Sequence, residues 1–206
     1  MRIGIDFDNT IAGYDHLFNV AARENGWLSD DAPRTKRKIR DLLRAGEDGE
    51  TKWQDLQARV YGPLMSQAEL ISGAGEFLAR CKKAGAEVFI VSHKTEFASR
   101  DQGAINLRVQ SRDWMEKRGF FDPQSYAIDP ANVYFEATRD DKIQRLANLG
   151  IGCFIDDLEE VFLDAAFPAD VRQLHFAPGL KKANGAAYAS FPTWNEISDA
   201  VFAEQN

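Results

Sequence analysis

The stretch DFDNT near the start of the chain sets two carboxylates, Asp6 and Asp8, one residue apart at the end of an apolar run that carries Ile3 and Ile5. Acids held that close repel each other unless something cationic joins them. Other polar groups end apolar runs in the same manner. Ser92, His93 and Lys94 follow EVFIV, Asp156 and Asp157 follow GCF, Thr10 accompanies the first pair, and Lys142 opens a helical stretch before GCF. Four carboxylates at one rim need a cation, and an oxygen donor set selects Mg²⁺.

These groups depend on strands to deliver them. Five apolar runs read as strands: RIGID from Arg2, EVFIV from Glu87, NVYF from Asn132, GCFID from Gly152 and RQLHF from Arg172. Helical patterns lie between and after them. GEFLARCKKAG spaces Phe77, Leu78 and Cys81 for one helix face and ends on Gly85; DDKIQRLANLG ends on Gly150. INLRVQSRDWMEKRG, DLEEVFLDAAF and TWNEISDAVF follow the same period, the last opened by a Thr193–Glu196 capping box. Alternation of this kind predicts an α/β fold built on a doubly wound parallel sheet, whose ligands bind outside the carboxyl ends of the strands.

From about Gly13 to about Ile71 the rhythm breaks, with no convincing strand. HLFNVAARENG carries Leu17, Val20 and Ala21 on one expected face, TKRKIRDLLRAG carries Ile39, Leu42 and Leu43, and TKWQDLQARVYGPLM carries Trp53, Leu56, Val60 and Leu64. A structureless loop of that length would be unusual, so the segment reads as a small α-helical insertion above the sheet's carboxyl edge. The expected division is a core of residues 1–12 and 72–206 and a helical cap of residues 13–71.

Composition narrows the function class. The 206-residue chain carries a net charge of -7, which argues against a nucleic-acid polymer as partner and leaves small anions open. It contains neither a run of eighteen apolar residues nor a basic segment leading into an apolar one at the N-terminus, so a cytoplasmic protein is expected. Cys81 and Cys153 sit in apolar surroundings and read as reduced core thiols. One basic run, Arg34, Lys36, Arg37, Lys38, Arg40 and Arg44, is either a solvated helix face or a wall toward an anionic substrate.

In order, DFDNT, IVSHKT with Ser92, then Lys142, then FIDD with Asp156 and Asp157 resemble the four motifs of the haloacid dehalogenase (HAD) superfamily of phosphohydrolases. The resemblance implies a Rossmann-like core with a cap between motifs one and two. It implies that Asp6 attacks phosphorus to form an aspartyl phosphate and that Asp8 acts as general acid and then base. Residues i and i+2 of an extended strand point the same way, so both acids reach one phosphoryl group while Phe7 turns into packing. Mg²⁺ would be held by Asp6, the Asp8 carbonyl and a motif-four acid, Asp157 directly, with Asp156 acting through water or orienting Lys142. Thr10, Ser92, His93 through its backbone, Lys142 and the backbone N–H groups from Phe7 to Asn9 would bind the phosphoryl oxygens.

The implied activity is hydrolysis of a small phosphomonoester of the nucleotide or sugar phosphate class. Halide displacement does not need a proton donor at the position of Asp8. A phosphoryl-accepting switch or phosphate-binding module without turnover is the other reading. Tyr14, Phe18, Trp53, Arg37, Lys38 and Lys94 are candidate contacts to the leaving group.

Overall fold

The computed structural model describes residues 1–29, 31–32, 35–100, 105–180, 183–184 and 188–203. Arg34 of the basic run and its acidic neighbour Asp30 lie outside them. In chain order the elements are β1 (Arg2–Ile5), β2 (Ala12–Gly13), α1 (Asp15–Glu24), α2 (Lys36–Arg44), α3 (Gly49–Tyr61), β3 (Glu69–Leu70), α4 (Ala74–Lys83), β4 (Glu87–His93), α5 (Leu107–Lys117) and β5 (Val133–Glu136). They continue with α6 (Arg139–Leu149), β6 (Cys153–Asp156), α7 (Glu159–Phe162), β7 (Arg172–Phe176), β8 (Ala183–Asn184), β9 (Ala189–Phe191) and α8 (Trp194–Phe202). The chain divides into two compact units. One comprises residues 1–12, 70–94 and 118–206, the other residues 13–69 and 95–117.

The first unit is built on a sheet of order β5-β4-β1-β6-β7-β9-β8, parallel throughout except for the edge strand β8. All five expected strands are in it. β1 lies in the sheet's interior because Ile3 and Ile5 are apolar on a strand buried from both sides: Ile5 registers with Ile90 of β4 and with Ile155 of β6. Gly4 is required between them, since a Cβ there would come within 2.6 Å of the Ile151 side chain and 2.8 Å of Phe154. The chain runs from β1 outward to β4 and β5, then returns to lay β6 on the other side of β1. The strand order therefore reverses at the carboxyl end of β1, the place where open α/β sheets bind their ligands.

Local signals set the helices that brace this sheet. Thr138 caps α6 by accepting from the Asp141 N–H, and Gly150 ends it in the left-handed conformation at φ 58°. Thr193 caps α8 in the same way, through the Glu196 N–H. Leu146, Leu149, Phe154, Val161 and Phe162 close one apolar layer with Phe89 and Val91. The expected helix DLEEVFLDAAF is a single short turn, α7, because Asp164 accepts from the Ala166 N–H and folds the next residues into a turn before Pro168.

The second unit has an aromatic core. Phe18 stacks on Trp53 with centroids 5.0 Å apart, Tyr61 meets Phe18 and Tyr14 edge-on, and the Tyr14 hydroxyl donates to the Met65 sulfur at 3.2 Å. These rings rotate the buried helix faces from those expected. α1 buries Leu17, Phe18, Ala21 and Ala22 and leaves Val20 exposed; α2 buries Ile39 and Leu43 and leaves Leu42 exposed. Of the α3 positions, Trp53, Leu56 and Val60 are buried and Leu64 is half-buried. The unit also takes in α5, placed by sequence with the sheet: Trp114 is buried and its indole N–H donates to the Ala68 carbonyl at 2.9 Å.

Candidate active site

Asp6 follows β1 directly, and its backbone N–H extends the ladder by donating to the Ile155 carbonyl at 2.8 Å. The chain then turns. The Ile11 and Ala12 N–H groups both donate to the Phe7 carbonyl, and Asn9 takes a left-handed conformation at φ 60° while its N–H donates to the Ala12 carbonyl at 2.8 Å. That bond corrects one expectation, since the Asn9 N–H is occupied by the turn. Phe7 is fully buried and meets Phe135 edge-on, as the alternation of the strand requires.

A buried ion cluster joins three elements. The Lys142 Nζ, from the first turn of α6, lies 2.6 Å from the Asp6 Oδ1 and 2.6 Å from the Asp156 Oδ2. All three side chains are buried, an arrangement tolerated only because the charges are paired. Burial opposes charge on Lys142, but the Asp156 and Asp6 carboxylates outweigh it and raise the pKa of the ammonium above its ordinary value. Burial pushes the Asp156 carboxyl up to about 7; the Lys142 ammonium pulls the other way and Asp6 adds to the rise.

Asp156 has a partner on each oxygen, Lys142 on Oδ2 and the Leu158 N–H on Oδ1 at 2.9 Å. Asp157 is half-buried, and its Oδ1 accepts from the Thr10 hydroxyl at 3.3 Å. That hydroxyl also lies 3.5 Å from the Asp6 Oδ2. Asp6, Asp156 and Asp157 each present an oxygen within 4.8 Å of the others. Three hard donors so close, in a cluster with a single Lys142 ammonium among them, suit a divalent cation with a preference for oxygen.

Around this cluster, β4 supplies the remaining groups. Ser92 is buried near its carboxyl end. His93 points to the other side, with an exposed ring whose Nε2 is 3.0 Å from the Ala137 carbonyl. Lys94 is buried and holds Asp8, with Nζ 3.0 Å from Oδ1 and 2.8 Å from Oδ2. Sequence reasoning put Lys94 on the rim but gave it to the leaving group, and did not foresee this pairing. It also passed over His175, which registers with Asp156 on β7. The His175 Nε2 lies 3.3 Å from the Asp157 carbonyl and its Nδ1 2.9 Å from the Ser190 hydroxyl, so the ring braces the loop that carries the motif-four acids. The register with Asp156 was the signal available for it.

The three aromatic candidates for leaving-group contact are core residues: Tyr14 and Phe18 are fully buried and Trp53 is 3% exposed. Arg37 and Lys38 are exposed on α2. No described helix is long and apolar enough to cross a membrane.

No family model and no curated protein matches the chain. Solved structures do. A HAD-superfamily hydrolase from Ehrlichia chaffeensis is 15% identical, covering 100% of this chain and 97% of that one, with a TM-score of 0.57. The Mycobacterium tuberculosis Protein Tyrosine Kinase A (PtkA) is 17% identical over 97% of both chains, with a TM-score of 0.61. A HAD family hydrolase from Deinococcus radiodurans R1, whose structure holds phosphate and sodium, is 14% identical over 99% of this chain and 96% of that one, with a TM-score of 0.55. The likeness at these identities is one of architecture: over its whole length, the chain has the fold of the haloacid dehalogenase superfamily.

Proposed function

We propose that the protein is a hydrolase of small phosphomonoesters, in the nucleotide or sugar phosphate class, working through an aspartyl phosphate on Asp6. The observation that carries this reading is the cluster itself: a carboxylate at the switch point of the sheet, paired to a buried lysine at 2.6 Å and flanked by two more acids. The phosphate in the Deinococcus radiodurans relative is consistent with it.

Asp6 donates an electron pair to phosphorus as the bond to the leaving oxygen breaks, and Asp8 gives that oxygen its proton. Asp8 then takes a proton from water as water attacks the phosphoryl group and returns the Asp6 carboxylate. Lys142 balances the charge that gathers on the phosphoryl oxygens, and Ser92 donates to one of them. Asp6, Asp157 and the Asp8 carbonyl would hold Mg²⁺, with Asp156 orienting Lys142. When bound, the ion supplies positive charge that lets an anionic ester approach an anionic nucleophile. Asp8 favours turnover over the switch reading, and over halide displacement, because neither of those needs a proton donor beside the nucleophile.

The test is phosphate release from an aryl phosphate and from a panel of phosphorylated metabolites, with Mg²⁺ and with excess chelator. Metal-dependent release supports the reading. A chain that becomes phosphorylated but releases no phosphate belongs to the switch class instead.

A further inference from the structure

We propose that Lys94 is the positioning residue for Asp8, fixing the general acid in one orientation; this rests on the phosphatase reading above. Asp8 sits on the turn after β1 with its side chain 18% exposed. Lys94 holds it by donating to Oδ1 at 3.0 Å, with Oδ2 of the same carboxylate 2.8 Å from the ammonium. The lysine is itself held at both ends. Its backbone N–H donates to the Glu136 carbonyl at 2.9 Å, its side chain is 3% exposed, and its ammonium lies 5.7 Å from the centre of the Phe7 ring.

Ser92 and Lys94 stand two residues apart on extended backbone and so share a face. The end of β4 and the residue after it thus present both a hydroxyl for the phosphoryl group and an ammonium for the acid beside it. Burying a lysine is costly unless its charge is matched, and here the match is the residue that moves the proton. In the reaction, Asp8 passes its proton to the leaving oxygen as the P–O bond breaks and the Asp6–phosphorus bond forms; Lys94 transfers nothing. Its contribution is the direction of the Asp8 carboxyl, on which proton delivery depends steeply.

In the first step an orientation effect has a signature that lost packing lacks: it falls on leaving groups that need the proton. The experiment compares wild type with Lys94→Met, Lys94→Gln, Lys94→Arg, Asp8→Asn and Lys94→Met/Asp8→Asn. Substrates are p-nitrophenyl phosphate, with a good leaving group, and an alkyl phosphate, with a poor one. Lys94→Met and Lys94→Gln should slow single-turnover phosphorylation of Asp6 by the alkyl ester on the order of 10²-fold, slow it little with the aryl ester and leave the ester concentration for half-maximal rate near wild type. Lys94→Arg should recover most of the loss. In the Asp8→Asn background, Lys94→Met should add nothing, because the two residues act as one unit.

Equal losses of that phosphorylation rate with both esters, a raised half-maximal ester concentration at constant rate, or additive effects in the double variant would overturn the proposal. If Lys94→Met does not fold, Lys94→Gln carries the same comparison. A wild-type chain inactive on both esters, or an Asp8→Asn chain as active as wild type on the alkyl ester, refutes the underlying reading and the Lys94 proposal with it. A leaving-group-dependent loss in Asp8→Asn that Lys94→Gln does not share refutes the Lys94 proposal alone.

Discussion

The Lys142 ammonium and the Asp6 carboxylate meet at 2.6 Å with both side chains buried, so neither charge has water to fall back on. Replacing Lys142 by Met leaves Asp6 and Asp156 facing each other without their cation. Breaking a buried pair in this way costs about 3–5 kcal/mol. Urea denaturation of Lys142→Met in chelator should show that loss, and added Mg²⁺ should recover part of it. A loss below about 1 kcal/mol would mean that the pair contributes no more than an exposed one.

If Asp6, Asp157 and the Asp8 carbonyl hold a divalent ion, Mg²⁺ must stabilise the folded chain by mass action, about 2.7 kcal/mol at a hundred times its dissociation constant. Thermal melts of wild type with increasing Mg²⁺ should rise, and those of Asp157→Asn should rise far less. Equal shifts for both proteins would remove Asp157 from the ligand set.

Arg37 and Lys38 lie exposed on α2 in a unit whose aromatic residues are spent on its own core. If that unit recognises substrate, as proposed, charge is what it has to offer. Replacing both residues by Ala should raise KM for a multiply charged phosphate ester with a smaller change in kcat, and should leave an aryl phosphate nearly unaffected. If both substrates respond alike, or neither does, the run is a solvated face.

Cys81 and Cys153 are buried, and burial pushes the Cys81 thiol from its ordinary 9.0 up to about 12 and the Cys153 thiol up to about 11. Raised thiol pKa values favour the neutral form in the folded state. The stabilisation is therefore complete below the unfolded value and is lost as pH rises through the folded ones, where the unfolded chain binds fewer protons. A thiol-reactive disulfide reagent should label neither cysteine of the native protein at about pH 8 and both after unfolding. Rapid native labelling would contradict their burial.

Five of the sheet's seven strands were legible because each is an apolar run closed by polar or turn residues, with Asp6, Ser92, Asp156 and Asp157 at those closures; β8 and β9 are too short, at two and three residues, to show such a run. Lys142 was legible as a residue opening a helix, but its burial was not, since nothing local separates it from a solvated lysine. The buried faces of α1 and α2 were displaced because Leu17, Val20 and Ala21 fit helical spacing as well as Leu17, Phe18 and Ala21 do. The choice is made by Trp53 and Tyr61, which lie far along the chain from Phe18. The same distance in sequence hid the placement of α5 with the helical unit and the hold of Lys94 on Asp8.

In the proposed reaction phosphorus bonds to Asp6. The most direct measurement mixes enzyme, Mg²⁺ and an aryl phosphate, quenches with acid within a turnover, and locates the phosphoryl group by mass spectrometry of peptides. One phosphoryl group is expected on the peptide carrying Asp6, absent from Asp6→Asn, and accumulating in Asp8→Asn, whose second step lacks its base. Phosphate on another residue, or near-normal turnover by Asp6→Asn, would contradict it.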